Sequence, residues 1–242
     1  MYKKVFVLFA IILAFLETGC VSSGKKVLLG QRDPIALVSV VSNDIISWKD
    51  EDPIKPESVG MMARRSLRED PDLTFAANAG DLITTAETLF RDTMDGSALI
   101  NLADNRTVLF SNAYRSADLN SRQIYRNLVV PEGYRHIDYR DKKFLAALES
   151  ETGIQRTMFV EFVFSSAMSM GFGKNGTCRA HVEMTVTVLN AQGKNVFKKV
   201  YSLGSRPNMR VSNGLYSESE MIELFESAIL DACYDFLDDL EK

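Results

Sequence analysis

The most regular pattern in the chain is an alternation of apolar and polar residues between residues 158 and 188. Even positions from 158 to 172 are apolar with one exception, and even positions from 178 to 188 are all apolar. The odd positions of the second stretch carry polar side chains, namely Arg179, His181, Glu183, Thr185 and Thr187. Strict alternation is typical of a strand that buries one face. The pattern therefore predicts the two strands of one long hairpin.

The register of this hairpin depends on the number of residues in its loop. A slip of one residue moves every side chain of a strand to the opposite face of the sheet. A three-residue loop at residues 174–176 places Phe172 opposite Cys178, whereas a two-residue turn at residues 175–176 places Phe172 opposite Arg179. Only the odd loop aligns the two apolar faces, and a glycine suits such a loop. We therefore predict the three-residue loop.

Shorter patterns predict the elements that precede the hairpin. Residues 35–41 read IALVSVV, an apolar run rich in β-branched residues that fits a central buried strand. Apolar residues recur at helical spacing in residues 80–95, and a further helix begins after Asp141 and ends at Gly153. Residues 107–110 fit either a strand or the start of a helix.

The end of the chain predicts a helix that covers the hairpin. Ser217 and Glu220 form a capping box, and a continuous apolar stripe follows through residues 217–241. Together these patterns predict an α+β fold with an α/β-like order of elements. Its mixed sheet contains a long antiparallel hairpin and meander, about residues 158–203, covered by helices that include the C-terminal helix 217–241.

The first twenty residues predict export and lipid attachment. Lys3 and Lys4 precede the apolar run of residues 5–16, which is shorter than the roughly 20 residues that span a bilayer. Thr18, Gly19 and Cys20 then resemble a lipobox, in which the cysteine is acylated and becomes the first residue of the mature protein. Glu17 departs from the usual apolar residue and resembles the relaxed lipoboxes of spirochaetes. Ordinary secretion, with Cys20 as a plain cysteine, is the alternative.

These signals divide the chain into three parts. Residues 1–19 are the predicted lipoprotein signal peptide, residues 20–33 a flexible tether, and residues 34–242 a single periplasmic α/β domain. The expected location is the cell envelope, anchored by the lipid on Cys20 at the periplasmic face of the outer membrane, with the inner membrane as the alternative. Removal of the signal, which carries two lysines and one glutamate, changes the net charge from −4 to −5. An acidic chain argues against nucleic acid as a partner, since binding requires clustered cations.

No motif in the sequence predicts an enzyme or a cofactor. Residues 171–176 match G-x-G-x-x-G, but a strand follows instead of the helix whose N-terminus would hold a nucleotide, so we expect no nucleotide. The two histidines, His136 and His181, lack metal-ligand spacing, so no metal site is expected. No G-x-S-x-G sequence is present, although one sequence leaves an unrecognised hydrolase open. We therefore assign no catalytic residues.

Two small groups of residues remain as candidate sites. Cys178 and Cys233 both fall on predicted core faces, where they form either a disulfide or two reduced, buried thiols. Met168, Met170 and Phe172 lie near the hairpin tip. If a helix covers them they belong to the core, which is the interpretation that we favour. If the hairpin overhangs the domain, they form an apolar contact patch for a partner or ligand.

The order of elements resembles that of a group of periplasmic α/β domains. The resemblance rests on IALVSVV at residues 35–41, on LAALESETGIQRTMFVEFVF at residues 145–164, and on the lipobox. The group comprises the curli secretion lipoprotein, the penicillin-binding-protein activator lipoproteins and the amino-terminal part of TolB. The resemblance implies a non-enzymatic envelope protein that binds other envelope components.

The first functional expectation is thus a lipid-anchored binding or assembly factor with an envelope protein partner. Its contact surfaces would be the sheet edge and the hairpin tip. The alternative is a carrier or sensor of a small apolar ligand, with Met168, Met170, Phe162 and Phe164 lining a cavity. The third expectation is an enzyme, which would need a pocket with convergent titratable groups.

Overall fold

The structure is a computed structural model that describes residues 33–44, 46–48, 79–119, 128–172, 175–213 and 215–241. Residues 1–32, including the predicted signal peptide and Cys20, lie outside the described residues, as does the loop residue 174. The strands are β1 (Ile35–Asn43), β2 (Ser47–Trp48), β3 (Leu128–Val129), β4 (Arg156–Phe172), β5 (Asn175–Asn190), β6 (Asn195–Gly204) and β7 (Met209–Val211). The helices are α1 (Ala79–Asp95), α2 (Asn105–Leu109), α3 (Asn112–Ser116), α4 (Lys142–Thr152) and α5 (Glu218–Glu241).

The strands form one open, mixed sheet in the order β3-β1-β4-β5-β6. β1 and β4 are parallel neighbours, while β4, β5 and β6 form an antiparallel meander. β2 pairs with β4 beyond the end of β1, and β7 pairs with β5 beyond the end of β6. The structure thus confirms the predicted α+β fold, its mixed sheet and its long hairpin and meander.

The register of the hairpin differs from the prediction by four residues. Cys178 pairs with Met168, not with Phe172, and Phe172 pairs with Asn175. Two residues instead of three therefore separate the strands at the tip, and a bulge between Met168 and Met170 restores the match of apolar faces below it. An even shift keeps each side chain on its own face, so the predicted buried face is correct although the predicted partners are wrong.

One face of the sheet, the helix-covered face, packs against α1 and α5. Its even-numbered residues on β4 and β5 join the apolar stripe of both helices in a single core. Phe236 of α5 lies at its centre, with ring centroids 6.3 Å from Phe90 of α1, 5.6 Å from Phe197 and 5.7 Å from Tyr201. The predicted C-terminal helix therefore covers the sheet of its own domain.

The opposite face is covered only in part. Helices α2, α3 and α4 pack over β1 and the beginning of β4, around Val38, Phe144 and Phe159. The remainder of this surface, the open face, carries Glu161 and Val163 of β4, Thr185 of β5, and Lys198 and Val200 of β6. Of these, Val163, Lys198 and Val200 are exposed. The polar odd positions of the sequence pattern thus lie on this face, as alternation requires.

The helix ends follow from local hydrogen bonds. The Asp141 carboxylate accepts from the backbone N–H of Phe144 at 3.1 Å, and Gly153 ends α4 with a left-handed φ of 73°. The backbone N–H of Glu220 donates to Ser217 Oγ at 3.3 Å at the start of α5. The ambiguous residues 107–110 belong to a helix and its end, not to a strand. Within the described part of the chain, no helix has the length and apolarity needed to cross a membrane.

Candidate functional site

The hairpin tip exposes Met170. The bulge in β4 lies at Ser169, whose hydroxyl is 2.7 Å from Thr177 Oγ1 across the strands. Beyond this bulge, Met170 pairs with Thr177, and Thr177 pairs with Arg210 of β7, so that the three positions form one row. Because paired residues share a face, the bulge turns Met170 away from the helix-covered face. Met170 is 73% exposed, so the favoured core interpretation is wrong for this residue.

A second apolar side chain lies at the same end of the sheet. Leu215 follows β7 and is 76% exposed. Its loop is held to the tip because the backbone N–H of Asn213 donates to Asn175 Oδ1 at 2.8 Å. We call Met170, Thr177, Arg210 and Leu215 the tip surface. The side chains of Met168 and Phe172, the other two predicted contact residues, lie outside the description.

A shallow depression of about 320 Å³ lies beside the tip surface, between the ends of β4, β5 and β7. Met170, Thr177 and Arg210 line it together with Val211. Among the described residues, none forms an ion pair or a side-chain hydrogen bond with Arg210. The tip therefore combines apolar side chains with a cation that the described part of the chain does not neutralise.

The two cysteines of the domain are buried free thiols in the structure. Cys178 of β5 and Cys233 of α5 both lie in the core between the sheet and the helices. Burial raises the pKa of each thiol to about 12, because a thiolate loses its hydration there. The disulfide that the sequence left open is not formed, and the structure corresponds to the alternative of two reduced thiols.

Alkylation of these thiols should depend on unfolding. Thiolate is the reactive form, so raised pKa values and burial predict no labelling of Cys178 or Cys233 by iodoacetamide in the folded protein at pH 8 within an hour. In denaturant without reductant, both should be labelled completely. Peptide mass mapping distinguishes these two positions from Cys20. A peptide pair that becomes labelled only after addition of reductant would contradict the reduced state.

A second site is a cleft of about 230 Å³ on the open face, beside the segment that leads into α4. Its floor comes from four neighbouring strands and its wall from the segment before α4. The main lining residues are Ser39, His136, Tyr139, Phe159, Glu161, Thr185, Thr187 and Lys198. The register explains their convergence, since Ser39 pairs with Phe159, Phe159 with Thr187, and Thr187 with Lys198.

The floor of the cleft carries hydroxyl groups, and one aromatic ring of the floor meets another from the wall. Ser39 is 3% and Thr187 8% exposed, yet neither hydroxyl has a hydrogen-bond partner among the described residues. Tyr139 and Phe159 meet edge to face, with ring centroids 6.2 Å apart. Sequence reasoning missed this site because its residues come from distant segments. The signal that was available is the pair of threonines at alternate positions of β5.

Two other polar groupings hold elements together. The Tyr134 hydroxyl lies 2.9 Å from a Glu87 carboxylate oxygen of α1 and 3.0 Å from the Asn105 amide oxygen of α2, and its one proton is shared between these two acceptors, which fixes the segment before α4 to both helices. On the open face, Ser202 Oγ lies 3.2 Å from His181 Nε2. In the described residues, no three His, Cys, Asp or Glu side chains gather closely enough to hold a metal ion.

Comparison with known proteins assigns no family. No protein-family model matches the chain, and no curated protein matches it. Among the solved structures that match is the LpoB C-terminal domain from Salmonella enterica, with 11% sequence identity and a TM-score of 0.28. The match covers 75% of this chain and 93% of that chain. At these values it indicates at most a distant fold relationship, and no function is taken from it.

Proposed function

We propose that the protein is a lipid-anchored, non-enzymatic envelope lipoprotein that acts as a binding or assembly factor. The anchor is the lipid on Cys20, at the periplasmic face of the outer membrane in the favoured arrangement. The contact surface is the tip surface. One observation carries this proposal, namely that Met170 and Leu215 are exposed together at the end of the sheet farthest from the tether.

The register fixes the distance between tether and tip. Ile35, the first residue of β1, pairs with Arg156, the first residue of β4. From Arg156, β4 runs through 17 residues to Phe172 at the tip. At about 3.3 Å per residue, the tip lies on the order of 50 Å from the point where the tether joins the sheet. A domain held at that point can direct its tip away from the anchoring membrane, toward another envelope component.

The chemistry of the tip surface favours a protein partner. Methionine is flexible and polarisable, and it adapts to the shape of an apolar partner surface. Arg210 beside it suits a carboxylate, which a guanidinium binds through two parallel hydrogen bonds. The expected partner surface therefore presents an apolar side chain next to an acidic one. The edge strand β6 is a weaker candidate, because Lys198 and Lys199 place charges on it, as edges that avoid pairing commonly do.

The structure gives less support to a carrier of a small apolar ligand. That function needs a cavity lined by Phe162 and Phe164, but both side chains are fully buried in the packed core. Their rings stack on each other at 5.7 Å, and Phe164 contacts Phe225 of α5 edge to face at 5.7 Å. Met170 belongs to the other face. The four residues therefore do not line a common space.

Site-specific photo-crosslinking tests the tip surface. A photoreactive residue placed at position 170 or 215 of the full chain should yield one discrete protein adduct in intact envelopes. Phe110, which is 72% exposed at the end of α2 and far from the tip in sequence, is the matched control position and should yield at least about tenfold less adduct. The change Arg210→Glu should reduce the adduct at position 170 by a similar factor, since it reverses the charge offered to the partner.

Three results would count against the proposal. Equal adducts at positions 110, 170 and 215 would indicate random encounter. Adducts with lipid alone would indicate that the tip lies on a membrane. If Arg210→Glu leaves the adduct at position 170 unchanged, the partner has no acidic group that binds Arg210.

A further inference from the structure

We infer that the cleft on the open face binds one neutral, polyhydroxylated ring, such as a single sugar unit. The inference concerns a part of the sheet that the tip surface does not include. It stands on the size of the cleft, the balance of its charges, the accessibility of its hydroxyl groups and its two aromatic rings.

The volume of the cleft limits the size of its ligand. Pockets for drug-sized ligands measure roughly 300–1,000 Å³. At about 230 Å³, the cleft lies below this range and accommodates one six-membered ring with its substituents. It is too small to enclose a peptide or a lipid chain.

The charges around the cleft favour a ligand without net charge. Lys198 on β6 lies at one side and Glu161 on β4 at the other, with Thr185 and Thr187 of β5 between them. An anionic ligand would be attracted by Lys198 but repelled by Glu161. A cationic ligand would be attracted by Glu161 but repelled by Lys198. A neutral ligand that both donates and accepts hydrogen bonds can use the ammonium group and the carboxylate together.

The hydroxyl groups on the floor supply the specific observation. Ser39 and Thr187 are almost fully buried, and neither hydroxyl bonds to any residue in the described ranges. Neither oxygen is among the enclosed side-chain atoms that lack a partner, so both hydroxyls reach the space of the cleft, where a ligand can bond to them in place of water. Hydroxyls donate and accept equally well, which matches the hydroxyls of a polyol. The half-buried Thr185 extends this floor by one more hydroxyl.

Two aromatic rings, one from the wall and one from the floor, supply an apolar surface. Tyr139 and Phe159 meet edge to face, and both rings line the cleft. The C–H groups of a sugar ring can pack against such aromatic surface while its hydroxyls face the threonines. Tyr139 is 37% exposed and also carries a hydroxyl.

Saturation-transfer NMR on the full chain, in a detergent without a sugar headgroup, tests this inference. The probes are glucose and N-acetylglucosamine, with glutamate and lysine as charged comparators. We expect saturable signals from at least one sugar and at least about fivefold weaker signals from both amino acids. The changes Thr185→Val and Thr187→Val keep the β-branched shape and remove the hydroxyl. Each should raise the dissociation constant for that sugar at least about fivefold.

Thr157→Val is the matched control, because it makes the same change on the neighbouring strand β4 outside the cleft and removes a hydroxyl that forms no hydrogen bond in the structure. It should leave sugar binding unchanged, and thermal melting of all three variants checks that they fold. The inference is overturned if neither sugar binds at millimolar concentration. It is also overturned if glutamate or lysine binds as well as the sugars, or if both cleft variants bind sugar like the unsubstituted chain.

Discussion

We expect the substitution Phe236→Ala to lower the free energy of unfolding by about 3–5 kcal/mol, the range for removal of a buried phenylalanine side chain. Phe236 is fully buried, and its ring contacts Phe90, Phe197 and Tyr201 at centroid distances of 5.6–6.3 Å. These partners belong to α1 and β6, so one ring joins α5 to both a second helix and the sheet. Neighbours held by so many contacts cannot close the resulting cavity, which places the expected cost in the upper part of the range.

Urea denaturation followed by circular dichroism measures this effect. Tyr234→Ala is the matched control, because it truncates another aromatic residue of α5 two positions away, on the exposed side. Surface truncations of this kind usually change stability by less than about 0.5 kcal/mol. Equal destabilisation by the two substitutions would show that α5 does not pack through Phe236. The free energy of unfolding of an ordinary domain is only about 5–15 kcal/mol, so Phe236→Ala should also reduce the yield of folded protein.

The elements with a strong periodic pattern were predictable from the sequence. The stripe of α5 and the alternation of β4 and β5 each identify a buried face, and the structure confirms both. The exact pairing of β4 with β5 was not predictable from the alternation of apolar and polar residues. The alternation of apolar residues leaves open any shift of the pairing by two or four residues, because such a shift keeps every side chain on the same face. The bulge at Ser169 with a two-residue connection aligns the apolar faces as well as a three-residue loop does.

Both candidate surfaces arise from features without a sequence period. Met170 is exposed because one bulge in β4 changes its face, and apolar alternation alone assigned it to the core. The cleft depends on Ser39, which a second bulge in β1, between Leu37 and Ser39, aligns with Phe159. Strands such as β7, with three residues, are too short to show alternation at all. The two sites therefore depend on how distant strands pair, whereas the helices and long strands follow from local sequence patterns.

The substitution Cys20→Ser should release the domain from the membrane. Two or three acyl chains hold a protein stably on a bilayer, whereas a mature chain with a net charge of −5 offers no overall attraction to anionic lipid. We expect the membrane-bound fraction to fall at least about tenfold. The experiment needs a cleavable secretory signal in place of residues 1–19, so that export and cleavage do not depend on acylation. Fractionation of the periplasm and the membranes, with mass spectrometry of the mature N-terminus, measures the result.

Cys233→Ser is the control, because it removes a thiol from the same chain without touching the anchor, and it should remain in the membrane fraction. If the Cys20→Ser protein also stays there, lipid on Cys20 is not the attachment. Addition of Met170→Asp then separates the remaining causes. Release by this second change would show that the tip surface holds the domain in the membrane fraction, since an aspartate there opposes both insertion between lipids and an apolar contact with a membrane-bound protein, and the adducts at position 170 distinguish these two. Retention would instead indicate a protein partner in the membrane that holds the domain elsewhere on its surface.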